Sequence, residues 1–463
     1  MAIAKEIFKA YDIRGIYNKD LTDEVAYRLG RAYVALRRKE SKKTRFTFMV
    51  AGDMRASTPA LKQALIRGLT EGGADVVDAG VNSTPTFYFG VAFFGYDGGI
   101  MVSASHNSAE WNGFKIVREK SVPVSGDTGI HELYEMVAAN AFGAAGVGAD
   151  GSGGEKIGSV TEKTDVLTTQ IQEDLKMVDL KQLKPLKIVA DAANAVGALY
   201  MEELFKYLPC KLIPMYFELD GNFPNHEADP LKESNLVDLK KRVTAEGADL
   251  GIALDGDGDR IFFVDNKGKS IPQSIIRGIL SMIFLREKPG AKIAYDIRPG
   301  RITRDMIIEN GGTPIVTRVG HSLIKEQALK EGAYFAGESS GHFFLNQTIG
   351  CFEIPTIVTL KLLAEFSQTK KTVAEYIAPY KKYFQSGEIN SQVEDKLATL
   401  KKIETTYADA KIDKLDGITI EYDDFWFNVR PSNTESTMRL NLEARSQETC
   451  DEKTKEVLAV ING

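Results

Sequence analysis

The chain is predicted to be an α/β protein, with three similar mixed α/β sheet domains followed by a smaller C-terminal α+β domain. Three observations lead there. Short apolar runs of strand character alternate with stretches of helical periodicity, the pattern of α/β units. That strand-and-helix block recurs three times at similar size along the chain. After about residue 372 the character changes to a Lys-rich helical pattern with alternating strands. The length of 463 residues agrees, because a single hydrophobic core stops growing well below that size.

The first block carries the strand-like run FTFMV at 46–50. Residues 59–72 follow with apolar side chains at helical spacing, and Pro59 stands where its missing N–H costs nothing. ADVVD at 74–78 and GGIMV at 98–102 read as further strands. Ala and Gly dominate 138–158 and large apolar residues are scarce, so this stretch reads as a linker. The pattern restarts with LKIVAD at 186–191 and continues with LGIAL at 250–254 and IFFV at 261–264. A third block holds KIAYD at 292–296 and AYFA at 333–336. The last segment shows ITIEY at 418–422 and FWFNV at 425–429. The boundaries implied are 1–145, 160–265, 266–371 and 372–463.

Composition removes several function classes. The net charge of −6 argues against a nucleic-acid partner. The three cysteines, Cys210, Cys351 and Cys450, are far apart and in no metal-binding spacing, as expected of inert thiols in a reducing compartment. No apolar run approaches the roughly 20 residues that span a bilayer. The opening residues 1–9 carry charges where a signal peptide needs an apolar core. The reading is a cytoplasmic protein, monomer or dimer, with no membrane partner.

Four polar clusters follow apolar runs, which is where open α/β sheets place reactive groups. In the first, MVSASHN at 101–107, Ser105 is flanked by His106 and Asn107. Ser105 is a candidate nucleophile or phosphate carrier. The alternative is a turn in which Ser and Asn bond their own backbone. The second is Asp255-Gly256-Asp257-Gly258-Asp259-Arg260. Three carboxylates alternating with Gly repel one another unless a cation sits among them, and their oxygens suit a hard ion such as Mg²⁺. A calcium loop of the EF-hand type needs Gly at its sixth position and Glu at its twelfth, where this chain has Arg260 and Asn266. A solvated acidic turn is the plainer alternative. The third cluster is Gly337-Glu338-Ser339-Ser340-Gly341-His342, and the fourth is Arg430-Pro431-Ser432-Asn433-Thr434-Glu435. The Arg, hydroxyls and amide of the fourth make a cradle for a dianion. Ser, Thr and Glu in that order also fit a helix cap.

In this order and at these separations the four clusters resemble the α-D-phosphohexomutase family, in particular its bacterial phosphomannomutase/phosphoglucomutase branch. The likeness runs from Phe8-Lys9-Ala10-Tyr11-Asp12-Ile13-Arg14-Gly15 to about Arg445. It implies a fourth domain of different fold and a central cleft to which each domain contributes one cluster. It implies that Ser105 is a phosphoserine whose phosphoryl group completes a Mg²⁺ site with Asp255, Asp257 and Asp259. Arg14 and Arg260 become phosphate contacts, a structural salt bridge being the plainer reading of Arg14. Lys115 and His321 match the family's acid/base residues, and a lysine beside a metal and other cations can have a lowered pKa. His106, His342 and His226 also fall in family-like motifs. Glu338 and Ser340 would bind vicinal sugar hydroxyls. Arg298, His342, Arg430, Ser432, Asn433 and Thr434 would complete substrate binding, the Arg430 loop and Arg298 holding the phosphate not undergoing reaction.

The reaction so implied interconverts a hexose 1-phosphate and 6-phosphate, mannose or glucose, through a hexose 1,6-bisphosphate. Four departures from the family pattern stand out. The phosphate loop continues Thr434-Glu435-Ser436 without the usual Pro, and Ser339 stands where Met or Gln is usual. Residues 350–355 replace a common acidic pair, and the loop 51–55 lacks a usual basic residue. Glucosamine phosphate is the alternative substrate. A phosphosugar phosphatase would not need a second phosphate cradle. An inactive sugar-phosphate sensor would lack Ser105 or a carboxylate.

Overall fold

The computed structural model describes residues 3–41, 43–142, 157–431 and 437–463. Contacts group the chain into two compact units, 1–270 with 341–373, and 271–340 with 374–463. The segment read from sequence as 266–371 is divided between them.

The first unit holds two mixed sheets. Its larger sheet is built from β1 (Ile13–Ile16), β2 (Thr47–Gly52), β3 (Asp75–Val81), β4 (Gly98–Val102), β5 (Trp111–Arg118) and β6 (Val160–Glu162), in spatial order β1-β5-β4-β2-β3-β6. β2 runs parallel to β3 and β4, while β5 is antiparallel to β4 and β1. The second sheet is built from β7 (Lys187–Asp191), β8 (Lys211–Met215), β9 (Leu250–Leu254) and β10 (Ile261–Asp265), in order β10-β9-β7-β8. β4 and β9 are buried at every residue. That explains why they read as continuous apolar runs rather than alternating ones, as strands covered on both faces do. The three parallel strands β2, β3 and β4 end at residues 52, 81 and 102. Three loops therefore leave the same edge of one sheet, the edge at which such sheets carry function.

Helix Thr84–Phe93 starts immediately after β3. The Ser83 hydroxyl caps it by accepting from Thr86 N at 3.2 Å, and Pro85 fits its first turn. Residues 341–373 add an antiparallel hairpin, Phe343–Gln347 with Gly350–Glu353, and helix Pro355–Ser367.

In the second unit, strand Lys292–Asp296 pairs in parallel with Thr313–Thr317 and with Phe335–Gly337. The C-terminal part is a five-stranded antiparallel sheet in spatial order Phe384–Gln392, Thr437–Ala444, Phe425–Pro431, Ile418–Glu421, Lys411–Asp413. Phe427, Val429, Leu440 and Leu442 form its core with Val457 and Ile461 of helix Gln447–Asn462.

Some expectations shift. The linker read at 138–158 overlaps the end of helix Ile130–Ala139, and 143–156 lie outside the described residues. Arg430 is the last residue but one of strand Phe425–Pro431, and the turn expected after it, 432–436, lies outside the described residues. The three cysteines are buried free thiols. Among the described residues no helix is long and apolar enough to cross a membrane.

One buried polar chain links separate segments of the first unit. Thr86 Oγ1 donates to Gln170 Oε1 at 2.7 Å, Gln170 Nε2 reaches Asp174 Oδ2 at 3.4 Å, and Thr356 Oγ1 donates to the same Asp174 oxygen. Burial pushes the Asp174 carboxyl up to about 7; the bonds from Thr356 and Gln170 oppose this, and Glu173 adds to it. The folded state therefore keeps a proton that the unfolded chain releases near pH 4, so stability falls as pH rises from about 4 to about 7 and then levels off. Asp174→Asn is expected to stabilise the protein at pH 8 by no more than roughly 4 kcal/mol, with the gain shrinking towards pH 4. Urea unfolding across pH measures this, and a gain independent of pH would contradict it.

Candidate active site

Ser105 follows the end of β4 and is buried, with φ at +52°, a left-handed conformation uncommon for a residue with a side chain. Ser103 Oγ accepts from Ser105 N at 3.0 Å, so Ser103 makes the local turn expected of such a segment. Ser105 itself is aimed elsewhere: its Oγ donates to Asp255 Oδ2 at 2.7 Å. His106 Nδ1 is 3.3 Å from Ser105 Oγ. Arg14 pairs through Nε with Asp12 at 2.8 Å and donates through Nη1 to Asn107 Oδ1 at 2.6 Å and Ala104 O at 3.2 Å. It thus makes the plainer salt bridge and braces the Ser105 loop through one side chain and one carbonyl.

The acidic loop joins β9 to β10, so both flanks are strands, which removes the helix-flanked calcium loop. Asp255, Asp257 and Asp259 are 0%, 0% and 2% exposed, which removes the solvated turn. Ligand oxygens of the three lie within 4.8 Å of one another. Gly256 permits the approach to Ser105: a Cβ there would sit 2.2 Å from the Ser105 carbonyl oxygen. Gly258, at φ +73°, turns the loop, and Tyr200 OH donates to its carbonyl at 3.0 Å.

Cations surround the carboxylates. Lys115 Nζ lies 2.5 Å from both Asp257 Oδ2 and Asp259 Oδ2. His342 Nε2 lies 3.1 Å from Asp259 Oδ1 and 3.4 Å from Arg260 Nε. Arg260 Nε is 3.7 Å from Asp255 Oδ2. Among the described residues Asp257 Oδ1 is buried with no hydrogen-bond partner, an unused acceptor within the triad. An oxygen-only set of this kind, with a spare buried lone pair, fits a hard divalent ion.

Burial, reinforced by Asp259 and Asp257, pushes the Asp255 carboxyl up to about 8. Burial works the same way on Asp259, but Lys115 and His342 overturn it and hold that carboxyl well below the usual range. For Lys115 the carboxylates weigh against the lowering expected beside a bound metal. Burial does act to lower it, yet Asp257 and Asp259 outweigh burial and hold the ammonium well above its ordinary value. The charge of Arg260, then burial, then Arg14 depress His106, leaving a neutral imidazole.

The second unit gathers another set. Glu338 Oε1 accepts from Arg298 Nη2 at 3.1 Å and from Gly320 N at 3.0 Å, and Glu338 Oε2 accepts from Ser340 Oγ at 2.6 Å. His321 opens helix His321–Glu331 directly after Gly320. Arg298 also pairs with Asp296. Burial would lower its pKa, but Asp296 and Glu338 raise it. Ser339 Oγ is spent inward, on Asp296 Oδ1 at 2.9 Å and Arg277 Nη1 at 2.9 Å. Arg430 Nη2 donates to Glu388 Oε2 at 2.9 Å, and Arg439 Nη1 lies 3.4 Å from Glu388 Oε1. Ser432, Asn433 and Thr434 lie outside the described residues.

The structure therefore brings Ser105, His106, Arg14, Lys115, Asp255, Asp257, Asp259, Arg260 and His342 together in one unit. It collects Arg298, His321, Glu338, Ser340 and Arg430 in the other. His226 takes a separate place, with Nε2 2.9 Å from Asp191 Oδ2 at the end of β7. Three residues escaped the sequence reading. Thr84 Oγ1 donates to Asp257 Oδ2 at 2.5 Å. Arg55 lies under the Ser105 loop. Glu388 collects Arg430 and Arg439. The Ser83-Thr84-Pro85 cap was a visible signal for the first; a lone acid in a polar strand gave none for Glu388.

Comparison with known proteins gives a consistent result. Family models described as "Phosphoglucomutase/phosphomannomutase", for alpha/beta/alpha domains I, II and III and a C-terminal domain, match residues 5–144, 165–268, 275–383 and 388–460. A phosphomannomutase of Escherichia coli is 36% identical over 98% of both chains. A Xanthomonas campestris pv. campestris protein named "Phosphohexose mutases" is 35% identical, covering 98% of this chain and 99% of its own. A crystal structure of a phosphoglucomutase/phosphomannomutase family protein from Burkholderia thailandensis superposes with a TM-score of 0.88 at 31% identity, over 100% of this chain and 99% of that one.

If the triad holds a divalent ion, Asp257→Asn should weaken Mg²⁺ or Mn²⁺ binding by more than the roughly 10–100-fold that loss of an outer partner costs. Titration calorimetry on the chelator-treated protein reads this directly. Unchanged affinity would take Asp257 out of the ligand set.

Proposed function

The chain belongs to the α-D-phosphohexomutase family and is a phosphomannomutase/phosphohexose mutase enzyme, and from that premise we propose that it interconverts mannose or glucose 1-phosphate and 6-phosphate through a phosphoserine at Ser105 and a hexose 1,6-bisphosphate. The observation that supports this most is the Ser105 hydroxyl, 2.7 Å from Asp255 and beside three buried carboxylates.

Asp255, Asp257 and Asp259, with an oxygen of the Ser105 phosphoryl group, would hold Mg²⁺. When bound, the ion supplies positive charge to the phosphoryl oxygens as they pass between acceptors. The chain's own residues do the rest. Arg260, which lies beside Asp255, donates to the phosphoryl group. Arg14 and the neutral His106 keep the Ser105 loop in place. A sugar hydroxyl attacks phosphorus; its O–P bond forms as the Ser105 Oγ–P bond breaks, and its proton passes to a base. Lys115 and His321 are the proposed acid/base pair. Glu338 and Ser340 accept from and donate to vicinal hydroxyls, held by Arg298 and the Gly320 N–H so that their orientation is set before the sugar arrives.

The non-reacting phosphate falls to Arg430, Ser432, Asn433 and Thr434, with Arg298. Glu388 is the counter-ion this cationic set keeps when no phosphate is bound. Its carboxyl stays below its ordinary pKa because Arg430, Arg298 and Arg439 overturn the effect of burial. The bisphosphate then turns end for end, and its other phosphoryl group returns to Ser105, leaving the isomeric monophosphate.

Two measurements test the proposal. Intact mass spectrometry of the purified protein should show one phosphoryl group on Ser105 that transfers to sugar on adding substrate. Ser105→Ala should lose nearly all turnover in coupled assays with mannose and glucose 1-phosphates. Phosphate carried only on another residue would overturn the assignment, and turnover confined to N-acetylglucosamine 1-phosphate would replace the substrate.

A further inference from the structure

Under the Ser105 loop lies a buried guanidinium that the reaction does not use directly. Arg55, in the loop after β2, is 1% exposed. It spends all five of its N–H donors on protein acceptors. Nε donates to Asp53 Oδ2 at 3.1 Å. Nη1 donates to the carbonyls of Ser108 at 2.6 Å and Trp111 at 3.0 Å. Nη2 donates to the carbonyls of Ser105 at 2.8 Å and Asn107 at 2.6 Å. Four carbonyls of one short loop thus rest on a single side chain, and no donor remains for a ligand.

The support beneath Arg55 is itself fixed. Asp53 Oδ1 accepts from Thr58 Oγ1 at 2.7 Å and from Arg55 N at 3.0 Å, and Asp53 N donates to Val102 O at 3.0 Å, tying the ends of β2 and β4. The ring of Phe223 stacks 5.0 Å from the guanidinium, and a Cβ on Gly221 would come within 2.7 Å of Arg55 Cα. The Ser105 carbonyl is therefore bonded by Arg55 Nη2, and a side chain at Gly256 would collide with it.

We propose that Arg55 is a positioning residue for phosphoryl transfer: its guanidinium holds the Ser105 loop in the left-handed geometry that aims Ser105 Oγ at Asp255. The inference rests on Ser105 being the phosphoryl carrier. Lysine cannot replace it, because an ammonium has three donors on a point charge and cannot span four carbonyls and a carboxylate. A loop released from Arg55 relaxes towards ordinary backbone angles and displaces Oγ. Because Arg55 offers nothing to the sugar, the loss falls on kcat and spares KM.

The test compares wild type with Arg55→Lys and Arg55→Ala, each first phosphorylated with glucose 1,6-bisphosphate. Arg55→Lys should lose about 100-fold in kcat with KM and melting temperature close to wild type, the size of effect a misplacement of about 1 Å produces. The ³¹P resonance of its phosphoserine should move, and guanidinium ion should restore part of the turnover of Arg55→Ala. Wild-type kcat in Arg55→Lys, or a kcat that falls only with the fraction of folded protein, would overturn the proposal. Failure of both variants to fold would do so too, by placing Arg55 in the general core. A wild-type protein that takes no label on Ser105 would instead defeat the functional reading beneath it, and the wild-type lane alone reveals that case.

Discussion

Asp255, Asp257 and Asp259 are buried with oxygens within 4.8 Å of one another, and their mutual repulsion governs what surrounds them. At an effective dielectric of about 20, two like charges about 4 Å apart repel by roughly 4 kcal/mol. The chain meets this with Lys115 between Asp257 and Asp259, with His342 on Asp259 and with Arg260 near Asp255. Burial, reinforced by Asp259 and Asp257, still pushes the Asp255 carboxyl up, and it is the carboxylate that Ser105 contacts. A divalent ion among the three would relieve the same repulsion. The triad, the cations and the serine are in this sense one electrostatic arrangement.

Backbone devices keep that arrangement in register. β4 and β9 carry no side-chain chemistry along their length; they deliver Ser105 and the acidic loop from rigid, fully buried strands. Glycine at 256 lets the two loops meet at van der Waals distance. Arg55 fastens the Ser105 loop through backbone carbonyls, and Arg14 through the Ala104 carbonyl and the Asn107 side chain. In the second unit, Glu338 is likewise oriented before any ligand is present, by Arg298, Ser340 and the Gly320 N–H. Positioning of this kind lets a site spend binding energy on the reaction rather than on ordering itself.

How much of this was legible depended on whether the signal was local in sequence. The Ser105 and Asp255–Asp259 runs were legible because apolar strands end abruptly in small, charged residues, and alternating carboxylates have few bland explanations. Strands such as Lys187–Asp191 and Lys292–Asp296 were legible for the same reason, as compact apolar runs. Arg55, Thr84 and Glu388 were not, because their partners lie 50, 173 and 42 residues away. For Lys115 the metal and neighbouring cations were legible, while the two carboxylates at 2.5 Å, which raise its pKa, were not. Ser339 stood out as unusual, yet only its bonds to Asp296 and Arg277 explain it, as part of a buried ion-pair network.

The central claim is that the carboxylate triad and a phosphorylated Ser105 share one divalent ion. Binding to a shared site is reciprocal, so phosphate on Ser105 must alter the affinity for the ion. The direct measurement is titration calorimetry of Mg²⁺ into the phosphorylated protein and into the same protein after its phosphoryl group has been removed. The account predicts tighter binding to the phosphorylated form, since a dianion joins the three carboxylates. Equal affinity in the two forms would contradict it.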